Sequence, residues 1–134
     1  MSQRAQRTSA LPIGEQYTEE NIKCSKGILF KRQRVFNQFF TSDSYKDSLI
    51  FDARLFSKVL IHIKEIGGSY SIYYQIWVCI DPTIWELLKE DILGAKLTRI
   101  ETLTDAWSYV KIAVKSYTAG NPAKVNAFIG GKTP

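Results

Sequence analysis

Short segments in which apolar and polar residues alternate, separated by turn signals, constrain the fold of this chain more than any other feature. Tyr70–Ile80 is one such segment, and the Gly67-Gly68 pair before it is typical of a hairpin turn. A period of two places successive side chains on opposite faces, as in a half-buried strand. About seven or eight such segments occur, with turn signals at intervals of roughly 8–12 residues. This spacing predicts an all-β, antiparallel β-sandwich of jelly-roll type rather than a βαβ fold.

The same alternation predicts which side chains face the core. In Leu55–Lys64 we expect every second residue to point inward, with Lys58, Leu60, His62 and Lys64 pointing outward. Gly130-Gly131 is predicted to form a turn and to begin a short C-terminal tail. The residues expected to face inward are Val59, Ile61, Ile63, Ile72, Tyr74, Ile76, Val78, Ile80, Val110, Ile112, Val114, Val125, Ala127 and Ile129.

Two segments are less regular. Ile84–Leu93 has apolar residues at helical spacing, which predicts one or two amphipathic helical turns or an irregular crossover between sheets. Ile28–Phe40 alternates only in part, and its aromatic and β-branched residues favour a β-ribbon or two short strands over a helix. Its alternation puts Phe30, Arg32, Arg34, Phe36 and Phe40 on one side, and Leu29, Lys31, Val35 and Phe39 on the other.

Charge divides the chain into an arm and a body. The net charge of +5 comes mostly from residues 1–40, where seven basic residues less three acidic ones give +4. Residues 41–134 hold eleven basic and ten acidic residues, a net of +1. Because residues 1–26 also lack hydrophobic periodicity, we predict a flexible basic arm over 1–26 and a β-sandwich over 27–134. The arm would meet an acidic partner, either nucleic acid or a neighbouring subunit, or act only as a solubilising tail.

The residues needed for common catalytic and metal sites are scarce. The chain has one histidine, His62, and two distant cysteines, so no usual zinc site can be assembled. No nucleophile elbow or phosphate-binding loop occurs either. We therefore expect a protein that is not an enzyme and has no catalytic residues, cofactor or metal. No apolar run approaches the length of a membrane helix. Cys79 lies in an apolar strand pattern, which favours a buried free thiol, although a disulfide with Cys24 stays open.

Three groups of residues are candidates for binding. Aromatic residues dominate interface hot spots, and arginines and lysines meet acidic partners. Tyr73, Gln75 and Trp77 fall on the strand face opposite the predicted core, where they would stack on a sugar or be covered by another element. The candidates are Arg4, Arg7, Leu11, Ile13 and Tyr17 for arm contacts between subunits, Phe30, Phe36, Phe39 and Trp77 for apolar interface anchors, and Lys31, Arg32 and Arg34 for contacts to an acidic partner.

From Phe51 onward the chain resembles a group of viral structural proteins. The resemblance rests on Phe51-Asp52-Ala53-Arg54, an alternating strand before Gly67-Gly68, a tyrosine-rich strand ending in Ile80-Asp81, and Ala119-Gly120-Asn121-Pro122-Ala123. Together these are similar to the small β-sandwich and jelly-roll proteins of tailed phages and archaeal viruses. Those proteins serve as decoration, minor capsid, fibre or tail components.

The resemblance implies a non-enzymatic structural subunit of a virion or other homo-oligomeric assembly. Its partners would be other copies of itself and further virion structural proteins, and it would assemble in the host cytoplasm. One alternative is a cytoplasmic module that binds glycans or a cell surface through exposed Trp and Tyr residues. A third is a nucleic-acid-associated protein that uses the basic arm, which the nearly neutral body disfavours.

Overall fold

The structure is a computed structural model that describes residues 23–25, 28–81, 83–105 and 107–133, with side chains from Phe30 onward. The described residues contain no helix of the length and hydrophobicity that a membrane span requires. Ten strands make up the described fold. They are β1 Lys23–Ser25, β2 Ile28–Phe40, β3 Lys46–Asp47, β4 Phe51–Asp52, β5 Lys58–Glu65, β6 Ile72–Cys79, β7 Glu86–Leu93, β8 Thr98–Leu103, β9 Tyr109–Ser116 and β10 Lys124–Lys132.

The strands form two antiparallel sheets. Sheet A has the order β1-β2-β10-β5-β8, and sheet B has the order β3-β9-β6-β7, with β4 also paired to β9. Consecutive strands pass from one sheet to the other, except within the β1–β2, β3–β4 and β6–β7 pairs. This alternation between two facing sheets is the topology of a jelly roll. The predicted all-β sandwich is confirmed, with seven strands of six or more residues and three short ones.

The core lies between the two sheets and is built from the inward positions of the alternating segments. All fourteen residues expected to face inward are buried except Ile80, which lies just beyond the end of β6 and is exposed. Each buried Val, Leu, Ile or Phe side chain contributes roughly 1.5–3 kcal/mol relative to leaving it in water. The core cluster also contains Val35, Phe36, Phe51, Phe56 and Leu93.

The prediction for 84–93 was wrong, because Glu86–Leu93 is a strand. β7 pairs with β6 from Ile72 opposite Leu93 to Val78 opposite Glu86, with a register shift near Trp77. The apolar residues of β7 do not alternate as in a half-buried strand, because β7 is an edge strand in the described chain: Leu87 and Leu88 stay exposed while Lys89 and Asp91 pair with the inward Ile76 and Tyr74. In this segment the conformation is determined by pairing with β6 and not by the local spacing of apolar residues.

A bulge in β2 corrects the predicted face of Phe36. The register between β2 and β10 shifts on both sides of Ala127, and Gln38 has a positive φ of 49°. An extra residue in one strand moves the following side chains to the other face. Val35 and Phe36 are therefore both buried, while Phe30, Arg32 and Arg34 keep the outward positions that the alternation predicts.

The glycine pair near the C-terminus lies in a strand and not in the predicted turn. β10 continues through Gly130 and Gly131 to Lys132. A Cβ atom on Gly131 would lie 2.5 Å from Cγ of the Phe56 ring, so a side chain cannot fit at that inward position. Gly130 faces outward between β2 and β5. Gly67 and Gly68, in contrast, form the expected turn, and Gly68 has a φ of 88°.

A buried carboxylate holds one end of the sandwich together. Glu65, at the end of β5, is fully buried and accepts backbone N–H bonds from Gly67, Gly68, Lys96 and Lys124 at 2.8–3.2 Å. These donors belong to the β5–β6 turn, the β7–β8 turn and the start of β10. Burial acts to raise the pKa of Glu65, but the four N–H bonds outweigh it, so the pKa lies below its ordinary value.

We predict that Glu65→Gln destabilises the domain by about 2–3 kcal/mol at neutral pH, because an amide cannot accept all four N–H bonds. A carboxyl with a lowered folded pKa contributes stability above its unfolded pKa of about 4.3, and that contribution is lost as pH falls through the folded pKa. The difference in unfolding free energy between wild type and variant, measured with urea, should therefore decrease below about pH 4. Glu86→Gln, at an exposed site, serves as the control. A gap that stays constant with pH would contradict this role for Glu65.

Candidate functional site

The outer face of sheet A carries Lys124, which lies over the Phe40 ring at the start of β10, and five further cationic side chains. Alternation in β2, β5 and β10 brings them to the same side of the sheet, where Lys132 lies directly opposite Lys58 in register. No carboxylate lies on this face in the described part of the chain. We call this surface the basic face and define it by Arg32, Arg34, Lys58, Lys64 and Lys132.

A groove of about 660 Å³ runs across the basic face. Gly130 lies at its floor, since a residue without a side chain there leaves space between Arg32 on β2 and Leu60 on β5. Phe128 and His62 line one end of the groove. Phe30, Lys58 and Lys132 line the other. The site therefore combines apolar and aromatic walls with a cationic rim.

Contacts within the groove place cations against aromatic rings. The guanidinium carbons of Arg32 and Arg34 lie 4.0 and 4.7 Å from the centroid of the Phe128 ring. The Lys132 Nζ lies 6.0 Å from the centroid of the exposed Phe30 ring. The His62 ring lies 6.2 Å from Phe128, and its buried Nδ1 has no hydrogen-bond partner among the described residues. A buried polar atom without a partner is a cost that the fold retains beside this groove.

The carboxylates of the described chain are mostly engaged elsewhere. Besides Glu65, four of them pair with cations at the sheet edges or in loops, and others accept hydrogen bonds from neighbouring backbone or side-chain groups. The basic face therefore receives no counter-charge from the described residues. The four pairs are Asp52–Arg54 at 2.7 Å, Asp47–Lys111 at 2.9 Å, Asp91–Arg99 at 3.0 Å and Glu101–Lys89 at 2.6 Å.

The outer face of sheet B has a different chemistry. Two lysines on β9 are inserted between aromatic rings, with Lys111 Nζ 4.4 Å from the Trp85 ring and Lys115 Nζ 4.9 Å from the Tyr45 ring. Glu90 accepts hydrogen bonds from Tyr45 and Gln75, so positive and negative groups balance. We call this the aromatic face and define it by Tyr45, Tyr73, Trp77, Trp85 and Tyr117.

Exposed aliphatic side chains concentrate between residues 80 and 100, and two of those on β7 lie beside the aromatic face. Of the fifteen exposed large hydrophobic residues of the described chain, seven lie between residues 80 and 100. On β7, Leu87 lies opposite Trp77 and Ile92 lies opposite Tyr73, so the aliphatic edge continues the aromatic face. The seven are Ile80, Ile84, Leu87, Leu88, Ile92, Leu97 and Ile100.

A polar network joins the two sheets between β7 and β8. Glu101 on β8 contacts Lys89 on β7 and accepts a hydrogen bond of 2.9 Å from the hydroxyl of the buried Tyr74. Arg99 donates to the same hydroxyl at 2.7 Å and to Asp91 at 3.0 Å. Burial and then the Glu101 charge raise the pKa of Tyr74, so the hydroxyl stays protonated as a donor. At the edge formed by β7 and β8, the core is therefore bordered by charged side chains that are paired with one another.

The predicted site residues fall in different places. Arg4, Arg7, Leu11, Ile13 and Tyr17 lie outside the described residues. The core contains Phe36, which is 5% exposed, and Phe39 packs against it. Phe30, Lys31 and Arg32 line the groove, and Arg34 lies over the Phe128 ring at its end. The Lys31 Nζ is also 5.7 Å from the centroid of the buried Phe51 ring, and Trp77 lies half-buried on the aromatic face.

Sequence reasoning missed part of the basic face. The outward positions of Lys58 and Lys64 were predicted from the alternation in β5, and this is confirmed. Their neighbourhood was not predicted, because it depends on β10 lying between β2 and β5. Lys132 was assigned to a tail, and Phe128 was not considered. The strand order is the missing information, and no local pattern carries it.

Comparisons with known proteins add a structural likeness. No family model matches the sequence, and no curated protein matches it. A solved structure described as Bacillus endospore appendages that form disulfide-linked pili is similar to this chain, with a TM-score of 0.50 and 8% sequence identity. The match covers 86% of this chain and 100% of that chain. At this identity the likeness concerns the fold.

The one cysteine whose side chain is described, Cys79, is a free thiol in the core. It is 2% exposed at the end of β6. Burial and the nearby charge of Asp81 raise its pKa, and both effects keep the thiol protonated and unreactive. The predicted burial of Cys79 is confirmed, and no disulfide forms at this position in the described structure.

We predict that Cys79 reacts with iodoacetamide at least about tenfold more slowly in the native protein than in denaturant, since only the exposed thiolate attacks. Mass spectrometry of the separate peptides distinguishes Cys79 from Cys24. The Cys24→Ser variant, which leaves Cys79 as the only thiol, is the control for cross-reaction. Rapid native labelling of Cys79 would contradict the buried position.

Proposed function

We propose that this protein is a non-enzymatic structural subunit that assembles with copies of itself through the aromatic face and the adjoining β7 edge. The observation that carries the proposal is the continuity of the half-buried aromatic rings of Trp77 and Tyr73 on β6 with the exposed Leu87 and Ile92 on β7. Extended apolar and aromatic surfaces mark protein interfaces, and Trp and Tyr are enriched in their hot spots.

The contact is made by side chains rather than by adding a strand to β7. Lys89 and Asp91 occupy inward positions of this strand, and a register shift interrupts it near Trp77. Inward charges and bulges are devices that protect an edge from pairing with other strands. The apolar side chains of the aromatic face are not protected in this way, so face-to-face packing is the geometry that we favour.

The basic arm would strengthen the same assembly. Residues 1–22 carry Arg4 and Arg7, and β7 presents the exposed carboxylate of Glu86, whereas Glu90 and Asp91 already accept hydrogen bonds from other side chains. We propose that the arm of one subunit crosses to the β7 edge of a neighbour, where Leu11 and Ile13 add apolar contact. The positive charges of Arg4 and Arg7, which lie apart in sequence from Glu15, Glu19 and Glu20, would pair with the negative charge of Glu86.

We favour a virion component, of the capsid, decoration or tail type, as the particle that these subunits build. The resemblance to viral jelly-roll proteins supports this choice, and other virion structural proteins would then be its further partners in the host cytoplasm. The likeness to subunits described as forming pili supports self-assembly in general. Because the Cys79 thiol is free and buried, the proposed assembly does not use a disulfide at that position.

We predict that the double variant Leu87→Lys and Ile92→Lys weakens self-association by about a hundredfold, because each change removes an apolar hot spot worth about 1–2 kcal/mol. Both side chains are more than a third exposed, so the fold should survive. Sedimentation velocity over a range of concentrations measures the association. Leu49→Lys with Leu55→Lys, which adds the same charge at exposed sites beside β4, is the matched control and should assemble normally.

Two results would overturn the proposal. One is a wild-type protein that stays monomeric at every concentration. The other is an equal loss of assembly in both double variants, since charge alone would then explain the effect. A monomeric wild type would make glycan binding the leading candidate, because Tyr45, Tyr73 and Lys115 line a shallow cleft of about 450 Å³ beside Glu90.

A separate prediction concerns the arm. A chain that begins at Lys23 keeps β1, which pairs with β2 through Cys24 opposite Leu29. We expect this chain to unfold at the same temperature as the full protein but to assemble at least about tenfold more weakly, because the arm's contacts to a neighbour are lost. Thermal unfolding and sedimentation measure the two effects. Unchanged assembly would exclude the arm from the interface, while lower thermal stability would show that it packs on its own domain.

A further inference from the structure

We propose that the basic face binds single-stranded nucleic acid in its groove. This site lies on sheet A, on the opposite side of the sandwich from the aromatic face, so the inference does not depend on the proposed assembly. It differs from the expectation that the arm alone would meet nucleic acid. The nearly neutral net charge of the body conceals the site, because four of its carboxylates are paired with Arg54, Lys89, Arg99 and Lys111 away from this face, whereas Lys58, Lys64 and Lys132 have no paired carboxylate among the described residues.

The cations on this face have no carboxylate partner among the described residues, so they are available to an anion from outside. Lys58 and Lys132 lie directly opposite each other on neighbouring strands, and like charges in this position destabilise a sheet. The described structure gives neither lysine an acidic neighbour. The buried Nδ1 of His62, without a hydrogen bond, adds a second cost at the same groove. Locally destabilising features, which a sequence selected only for stability would not keep, are typical of functional sites. A bound polyanion would neutralise the repulsion between the two lysines, and both would then contact its negative charges.

The groove combines the two features that nucleic acid requires. Phosphates would bind the cationic rim of Arg32, Lys58 and Lys132, where guanidinium and ammonium groups donate to phosphate oxygens. Bases would stack on the exposed Phe30 ring and on the guanidinium planes that cover Phe128. A single strand fits better than a duplex, because only unpaired bases offer their faces to rings on a sheet surface.

Two other occupants are less favoured. A second copy of this chain offers few carboxylates, since those on β7 and β8 other than Glu86 already pair with Lys89, Arg99, Tyr45 and Gln75. A sulfated polysaccharide matches the charge but lacks planar bases for the aromatic and guanidinium surfaces. The apolar walls formed by Phe30 and Leu60 therefore favour nucleic acid.

The test measures binding of the full-length protein to a fluorescein-labelled oligodeoxythymidylate by anisotropy at several salt concentrations. Lys58→Gln with Lys132→Gln should weaken binding at least about tenfold and reduce the slope of log K against log salt by about 1.4, which is 0.7 for each lost phosphate contact. The same variant should unfold at a higher temperature than wild type, because the like-charge pair is gone. Weaker binding by a more stable protein cannot be attributed to misfolding.

The matched control removes two lysines elsewhere. Lys46→Gln with Lys96→Gln lowers the net charge by the same amount at exposed sites on β3 and in the β7–β8 turn, and should leave the salt slope unchanged. Equal loss in both variants, or full binding by the Lys58 and Lys132 variant, would overturn the proposal.

A further variant separates nucleic acid from an acidic polysaccharide. Phe30→Leu keeps an apolar side chain but removes the ring, so it should weaken oligonucleotide binding several-fold and leave heparin binding unchanged. Equal effects on both ligands, or tighter binding of heparin than of the oligonucleotide by wild type, would overturn the assignment to nucleic acid.

Discussion

The carboxylate of Glu65 is the interaction on which the geometry of both faces depends. It receives backbone N–H groups from two turns and from the start of β10, so one group sets the spacing of strands from both sheets. The turn at Lys96 leads into β8, and Lys124 begins the strand that carries the groove's glycine. A buried carboxylate without hydrogen-bond partners would destabilise the fold, but four N–H donors offset the desolvation of Glu65 and fix its position.

The outer faces of the two sheets differ in their chemistry. Period-two alternation buries one set of side chains and leaves the other set free to specialise. On sheet A the free set is cationic, and on sheet B it is aromatic with balanced charge. Because the two chemistries lie on opposite sides, the proposed contacts with copies of the chain and with an anionic partner would not compete for the same surface.

The sequence was sufficient to predict the sandwich, because strands such as β5 and β6 are buried on one face and alternate cleanly. It failed where tertiary pairing overrides local pattern. β7 resembles a helix until β6 is placed beside it, Phe36 changes face at a bulge, and Gly131 is explained only by the approach of Phe56. The basic face requires the strand order of sheet A. Of the candidate site residues, those of the arm stay predictions.

The pairing of β2 with β10 has a consequence for the order of events in the cell. These strands are neighbours in sheet A but come from opposite ends of the described chain, with Phe30 opposite Lys132. Contacts of such long sequence separation are slow to form, since a large loop must close first. The groove, whose walls come from both strands, therefore cannot form until the chain has been synthesised through Lys132. The proposed contact with an anionic partner would then follow the closure of sheet A and could not precede it.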